Sequence, residues 1–451
     1  MNTFQTYLPF YKRNLKVALP IVLSQVGGAL VQLVDTFLVG HLGTVELAAV
    51  SFASVIFMIG MLGGMGILMG LTPLVGIAFV RNEKARLSQL FENGILLTIL
   101  VAIVLSLLLA ALIPLMPYMG QEPEVVALCI PFFKLMILSL IPYLFFLICK
   151  QFLEGLGNTS LAMVITILSN IINIVLAYML IFGKWGAPAL GVLGAGIATF
   201  TARLTMPFLF LFFIYRHREW WAYCRAFRKK WISLQTVKEL LSIGAPISGQ
   251  MLLEMLAFSM AGIMAGWLGS TILASNQIAS QISSLCFMVV VGIGAATTIR
   301  VSHQVGVRDV LAARMAANAS IHLCLAYNAV TASLLLLFRV QIASFFTLDA
   351  EVIAVASRLL VFIAFFQISD GLQCVGVGTL RGLTDVKIIT LYAFISYICI
   401  NIPVGYVFAF VLGFGIEGIW MGLTVGLTVA AILFHRRIRK RFKEYQQTLP
   451  V

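Results

Sequence analysis

The chain has 451 residues, of which 61% are hydrophobic and only 10% are charged. An average soluble domain carries about 25% charged residues, and the mean hydropathy of +1.04 excludes that class here. Apolar runs of about 20 residues, the length at which a helix crosses a bilayer, follow one another with no long polar segment between them. The composition therefore predicts an all-α polytopic membrane protein without an independent soluble domain.

Basic residues outnumber acidic ones by 30 to 17, which gives a formal net charge of +13. They gather in alternate loops and at both ends of the chain, with Lys12, Arg13 and Lys16 before the first span and six more from Arg436 to Lys443. Cytoplasmic loops of membrane proteins carry such an excess of Lys and Arg. The pattern predicts an even number of spans with both termini cytoplasmic, and it accounts for the charge without a nucleic-acid partner.

The apolar runs predict twelve transmembrane helices. The first run is too long for the apolar core of a signal peptide, so we expect it to be retained as a helix. By hydropathy the spans cover approximately residues 15–40, 47–80, 90–113, 125–148, 161–183, 191–214, 241–267, 273–299, 316–338, 352–375, 388–411 and 418–434.

Signatures of soluble enzymes are absent from the sequence. It contains no GxxxxGK[ST] phosphate-binding loop, no HExxH motif and no Cys/His cluster with zinc spacing. The seven cysteines lie mostly in apolar runs and form no CxxC pair, which indicates small buried side chains. We therefore expect no enzymatic activity and no cofactor. Because a chain without a phosphate-binding loop cannot hydrolyse ATP alone, any transport would have to draw on an ion gradient.

An internal repeat divides the chain into halves. LPIVLSQ from Leu19 corresponds to APISGQM from Ala245, so that Pro20 matches Pro246. Each copy has six spans, and both copies start on the same side of the membrane, which predicts two six-helix bundles related by a pseudo-two-fold axis along the membrane normal, with a cavity between them. The predicted divisions are an N-terminal bundle (1–214), a basic cytoplasmic linker (215–240) and a C-terminal bundle with a basic tail (241–451).

Three acids, Asp35, Glu254 and Asp370, fall well inside spans, whereas most of the others lie in loops or at span ends. A lone charge at the centre of a membrane helix costs about 2.5–3.5 kcal/mol on insertion scales, so these residues are candidate functional groups. The alternative is a buried, hydrogen-bonded acid that fixes helix packing. At the repeat offset Asp35 corresponds to Ala261 and Glu254 to Gly28, which indicates different roles in the two halves.

Polar side chains accompany the acids on the same helical faces. Gln32 precedes Asp35 by one turn, and Gln250 precedes Glu254 by four residues. The further polar candidates in the second half are Gln277, Gln367 and Gln373. Three basic residues also lie in apolar runs: Lys134 and Arg358 are near enough to span ends to reach the interface, and no role is assigned to Arg203.

Two carboxylates in one half have two possible uses. With amide or backbone oxygens, Glu254 and Asp370 could coordinate a hard cation such as Na⁺, and burial equally favours the protonated form of a carboxyl group. The residues alone do not decide between them. In the first half Asn170 and Asn173 lie one turn apart and are candidates to face Asp35 in a proton or drug site, although hydrogen bonds between helices are an alternative role.

Three segments resemble the multidrug and toxic compound extrusion (MATE) family, in particular its NorM-like branch. They are VDTFLVGHLG from Val34, GWLGSTILASNQIA from Gly266 and GIGAATTIRVSHQVG from Gly292. The resemblance implies two six-helix bundles around a central cleft in the bacterial inner membrane. It also implies export of cationic, amphipathic organic compounds in exchange for Na⁺ or H⁺, and we expect a monomer.

The resemblance also assigns roles to residues. Asp35, Glu254 and Asp370 match the family's three acids, of which the last two are implicated in cation coupling, and Asn173 matches an asparagine near the first-half acid. Ala177 replaces a polar residue one turn after that asparagine, and Phe366 replaces a tyrosine just before the tenth-span aspartate. Because both coupling acids are present, Na⁺ is the favoured ion, with Glu254 and Asp370 as its ligands.

Two other functions fit parts of the pattern. Related folds move lipid-linked oligosaccharides, but such a flippase is expected to have a strongly cationic cavity, whereas the intramembrane charges here are mainly acids. A receptor or structural membrane protein fits the composition and leaves the three acids unexplained.

Overall fold

The computed structural model of the chain describes residues 3–216 and 232–448. Within these residues, twelve helices are long and apolar enough to cross a membrane, as predicted. They are α1 (Gln5–Gly40), α2 (Thr44–Val80), α3 (Lys84–Tyr118), α4 (Pro123–Gly155), α5 (Ser160–Phe182), α6 (Gly191–Arg216), α7 (Leu234–Gly266), α8 (Ser270–Gly306), α9 (Val310–Leu337), α10 (Ala350–Gly382), α11 (Lys387–Val411) and α12 (Gly415–Gln447).

Most helices are longer than the apolar runs that predicted them. Helix α3, for example, covers 84–118 where hydropathy predicted 90–113. Hydropathy delimits the apolar part of a span, whereas the helix continues into polar ends because its backbone groups stay hydrogen-bonded there. The largest difference is in α12, which continues through a basic, amphipathic segment to Gln447 instead of ending near residue 434.

The helices pack into two compact units. The first-half unit is Leu23–Ser248, and the second-half unit combines Met1–Val22 with Gly249–Val451. Their borders fall inside α1 and α7, 226 residues apart, and differ from the predicted divisions at residues 214 and 241. Of the predicted linker, the basic residues Arg218, Arg225, Arg228, Lys229 and Lys230 lie outside the described residues.

Specific hydrogen bonds explain these borders. Near the start of α1, Asn14 donates from Nδ2 to the Ala316 carbonyl and to Ser320 Oγ, both at 2.9 Å, so this segment belongs with α9. In the first half of α7, Ser248 Oγ donates to the Gly63 carbonyl at 2.9 Å, so this segment belongs with α2. Each half of the repeat therefore gives the first part of its first helix to the opposite unit.

In the first-half unit, glycines on α2 allow neighbouring helices to approach closely. A Cβ atom on Gly66 would lie 2.4 Å from the Ser248 Cα atom on α7. A Cβ atom on Gly64 would lie 2.9 Å from the side chain of Leu105 on α3. The apolar core of this unit includes Phe133 and Leu140 of α4, both fully buried.

In the second-half unit, α8, α9 and α12 all pack on α10, which is the central helix. Helices α8 and α10 meet at two glycines, where a Cβ atom on Gly378 would lie 2.3 Å from the Gly294 carbonyl oxygen. This central position buries the functional side chains of α10, including Asp370, at 5% exposure.

Helix α11 is unusual because two of its segments, Phe394–Asn401 and Val407–Val411, are π-helical. Pro403 lies between them and has no N–H group to donate to the carbonyl four residues earlier, which explains why the helix widens there. Gly418, Gly422 and Gly426 form a seam on α12 that contacts α11, and a Cβ atom on Gly422 would lie 2.4 Å from the Gly405 Cα atom.

Candidate ion-coupling and substrate sites

Glu254 on α7 is held by two glutamines in the second-half unit. Gln250 Nε2, one turn earlier on the same helix, donates a hydrogen bond of 2.6 Å to Glu254 Oε2. Gln373 Nε2 on α10 donates one of 3.1 Å to Glu254 Oε1. The amides orient both carboxylate oxygens and join α7 to α10.

Asp370 lies on α10 and interacts electrostatically with Glu254. Its side chain is buried, and no described residue forms a hydrogen bond with Oδ1. Gln373 Oε1 is likewise buried without a partner among the described residues. Two interacting acids, one with a carboxylate oxygen that has no partner among the described residues, are therefore buried in the second-half unit.

Arg381 is the positive charge that interacts with Glu254, and it was not among the predicted site residues. Its Nη2 atom donates a hydrogen bond of 2.8 Å to Gln250 Oε1, so one amide connects the guanidinium group to Glu254. Arg381 lies six residues beyond the predicted tenth span (352–375), so hydropathy assigns it to one of the basic loops. A usable signal was present, because Arg381 follows Asp370 by eleven residues, or about three helical turns, on one face.

The oxygen atoms of this cluster suit a hard cation. Carboxylate and amide oxygens are the donors that such ions prefer, and Asp370 Oδ1 and Gln373 Oε1 are free to serve in this way. When both carboxylates are ionised, Glu254 and Asp370 carry two negative charges, and Arg381 neutralises one of them. One monovalent cation or one proton would balance the cluster. Within the described residues, no group of three or more His, Cys, Asp or Glu side chains is arranged as a metal site.

Gln367 makes contacts on a different side of α10. It accepts a hydrogen bond of 2.9 Å at Oε1 from Thr331, and its backbone carbonyl accepts one of 2.8 Å from Asn328 Nδ2. These bonds fix α10 against α9. Gln277 is exposed on α8 and takes no part in the hydrogen bonds to Glu254, whereas the neighbouring Asn276 accepts one of 3.0 Å from Trp420.

Phe366 lies in the apolar layer one turn before Asp370. Its ring is fully buried and packs edge-on against Phe258 and Trp420, with centroid distances of 6.1 and 5.4 Å. This position supplies aromatic packing and no oxygen. The oxygen donors near Asp370 therefore come from other side chains.

In the first-half unit, Asp35 is half-buried on α1 and interacts electrostatically with Arg203 on α6. Gln32 is exposed, and its carbonyl accepts a hydrogen bond of 2.8 Å from Thr36. Within the described residues, neither Gln32 nor the two predicted asparagines forms a hydrogen bond with the Asp35 carboxylate. The polar partner that the structure gives Asp35 is Arg203.

Asn170 and Asn173 line the face of α5 toward other helices of this unit. Asn173 is buried and donates a long hydrogen bond of 3.4 Å to Thr199 on α6, while its Oδ1 atom has no partner among the described residues. Asn170 Nδ2 is also buried without a partner in the described part of the chain, and it lies 3.3 Å from where a Cβ atom on Gly27 would be. Both asparagines thus keep free polar atoms for another ligand.

Arg203 is the second functional candidate absent from the predicted set. Its Nη1 atom donates a hydrogen bond of 2.8 Å to Ser139 Oγ. Its guanidinium carbon lies 5.0 Å from the ring centroid of Phe57 and 5.2 Å from that of Tyr143, so two aromatic faces hold the charge. The signal in the sequence was its position in the middle of the predicted sixth span, whereas Lys134 and Arg358 lie nearer to span ends. In the structure Lys134 is exposed and Arg358 pairs with Glu417.

Two further acids are buried near helix ends. Glu92 on α3 and Glu154 on α4 are 2% and 4% exposed, and they lie at or beyond the ends of the predicted spans 90–113 and 125–148. Both lie near helix ends with basic loops, and Glu154 pairs with Lys150 at 3.8 Å. Pairing of this kind allows an acid to be buried without a transport role.

Comparison with known proteins identifies the family. The family model described as MatE matches residues 20–179 and again residues 246–407, once in each predicted repeat. The chain is 32% identical over 434 residues to the multidrug resistance protein NorM of Photobacterium profundum, covering 95% of both chains. It is 35% identical over 429 residues to the probable multidrug resistance protein NorM of Xanthomonas campestris, covering 94% of this chain and 93% of that one.

A solved structure shares the fold. An outward-facing multidrug resistance MATE family transporter of the MOP superfamily superposes with a TM-score of 0.88 at 21% identity, covering 97% of each chain. With the two matches to the family model and the NorM relatives, the conclusion is that the chain belongs to the MATE family and is NorM-like.

Proposed function

We propose that the chain is a multidrug efflux transporter, acting as a secondary antiporter that exports cationic, amphipathic organic compounds in exchange for Na⁺. Exchange for H⁺ is the alternative. Membership of the MATE family and the names of its NorM relatives support the general function. The observation that carries the coupling mechanism is the pair Glu254 and Asp370, buried together with one guanidinium group for two carboxylates.

The coupling step follows from this charge imbalance. In a medium of low dielectric constant, two neighbouring carboxylates repel each other strongly unless a positive charge lies between them. A bound Na⁺ would contact Asp370 Oδ1 and oxygens of Glu254 and Gln373, all of which suit a hard cation. The presence of both acids and of a free amide oxygen supports Na⁺, whereas a proton needs only one of the carboxylates.

The substrate site is proposed to lie around Asp35 in the first-half unit. Its carboxylate attracts an organic cation or a proton, and Asn170 and Asn173 offer polar atoms without partners among the described residues. Arg203 stays fixed beside Asp35 through Ser139 and two aromatic rings. A mobile cation and this fixed cation would then compete for the same carboxylate.

Transport would couple the two ligands through one conformational equilibrium. Cation binding at Glu254 and Asp370 favours the state that has released the drug, and drug binding favours the state that releases the cation. The effect of each ligand on the other must be equal in free energy. The basic residues of alternate loops support an inner-membrane location with both termini cytoplasmic, and we propose that the functional unit is a monomer.

The experiment is efflux of ethidium from proteoliposomes with an imposed Na⁺ gradient or, separately, an imposed proton gradient. Glu254→Gln and Asp370→Asn keep the shape of each side chain, and each is expected to reduce ion-driven efflux at least about tenfold. Glu351→Gln is the matched control, since it makes the same change at an exposed position on α10. Ion-driven efflux that survives in both site variants would refute the coupling role, and the gradient that drives the wild type identifies the ion.

A further inference from the structure

A cavity of about 520 Å³ lies at one end of the second-half unit, apart from the coupling acids. Its walls are the first turns of α9 and the last turns of α12, and Thr379 of α10 also lines it. These helix ends lead to the basic turns and the basic C-terminal segment. The cavity therefore lies at the membrane surface where the chain concentrates its positive charge.

The end of α12 has two distinct faces. On one face Arg437 and Arg441 form ion pairs with Asp385, at 2.6 and 3.2 Å, which fix the helix against the turn between α10 and α11. The other face, with His435, Arg439 and Lys443 spaced at four residues, lines the cavity. Asp385 thus pairs with one face, whereas Arg439 and Lys443 on the other face are exposed and line the cavity.

The chemistry of the lining is cationic and apolar at once. Arg314 on α9 adds a third strong cation to Arg439 and Lys443, and none of the described residues that line the cavity is acidic. Ile321, Ile438 and Phe442 supply apolar walls between the cations. A ligand that suits this lining carries an anionic head and an apolar chain.

We propose that this cavity binds an anionic phospholipid, with its phosphate between Arg314, Arg439 and Lys443 and an acyl chain along Ile321 and Phe442. Basic pockets between helices at a membrane surface recognise such head groups. An organic cation is the wrong ligand, because the lining repels it. The bound lipid joins α9 to the end of α12, so that it stabilises the second-half unit by mass action.

Thermal unfolding and native mass spectrometry of the full chain in detergent test this proposal, with dioleoyl phosphatidylglycerol as the probe. The site variant combines Arg314→Gln, Arg439→Gln and Lys443→Gln. The control variant combines Lys387→Gln, Arg436→Gln and Lys440→Gln, which removes the same charge from exposed positions outside the cavity. We expect the lipid to raise the Tm of the wild type and the control, and to bind the site variant at least about tenfold more weakly.

A second variant, Ile321→Trp, narrows the apolar wall of the cavity while keeping every charge, and it is expected to weaken lipid binding as well. It keeps the test decisive if the triple variant does not fold. Equal binding to the site and control variants would overturn the proposal, since general surface charge would then explain it. An equal rise in Tm from phosphatidylcholine or from inorganic phosphate would also overturn it, because the anionic head and the apolar chain are both required.

Discussion

Replacing Arg381 with glutamine is predicted to strengthen binding of the coupling cation. The guanidinium group and the Glu254 carboxylate are separated by the Gln250 amide, with hydrogen bonds of 2.8 and 2.6 Å on its two sides. Two unit charges about 8 Å apart interact by about 2 kcal/mol at an effective dielectric constant of about 20. A cation bound at the carboxylates meets a repulsion of this size from Arg381, and its removal corresponds to a ten- to thirtyfold gain in affinity.

The assay is the Na⁺ concentration that gives half-maximal ethidium efflux from proteoliposomes. We expect this concentration to fall ten- to thirtyfold in Arg381→Gln and to change less than about threefold in Arg381→Lys, which keeps the charge. Arg358→Gln is the control on the same helix, because Arg358 is exposed and pairs with Glu417 at 3.4 Å. An unchanged or raised Na⁺ requirement in Arg381→Gln would refute the reasoning, since Arg381 would then organise the site instead of opposing the cation.

Three further predictions concern other contacts. Arg203→Met removes the fixed cation beside Asp35, and we expect the KM for a dicationic substrate to fall about tenfold in efflux assays, while Arg203→Lys keeps the wild-type value. Gly378→Ala is expected to lower the Tm by several degrees, because its Cβ would lie 2.3 Å from a carbonyl oxygen of α8, whereas Gly262→Ala has nothing within 4 Å to meet and should not. Gln367→Leu removes the side-chain hydrogen bond from Thr331 on α9. We expect it to lower the free energy of unfolding by about 0.6–1.7 kcal/mol and to leave the Na⁺ affinity unchanged.

Hydropathy predicted the twelve spans because a helix in lipid must be apolar over a fixed length. The same reasoning singled out Asp35, Glu254 and Asp370, since a charge inside such a run is costly. The acids in the second half do lie together, and the hydrogen bond from Gln250 to Glu254 follows from their spacing of four residues. These features depend on position along one helix, which a sequence records directly.

Features that depend on contact between helices were harder to predict. Arg381 was assigned to a basic loop because it lies at the end of a span, yet its long side chain reaches back to Gln250. The borders of the two units at Val22 and Ser248 depend on contacts of Asn14 and Ser248 with distant parts of the chain. In each case the contact joins two residues that are far apart in the sequence, and hydropathy does not record such contacts.

The seam of Gly418, Gly422 and Gly426 makes α11 and α12 a single mechanical element. With backbone against backbone, neither helix can slide or rotate past the other without a collision, so a displacement of the widened segments of α11 is transmitted to the whole length of α12. A spectroscopic label near the end of α12 would then report movement of α11 from outside the membrane. Distance measurements from such a label, with and without Na⁺, would follow the transport cycle without disturbing the acids.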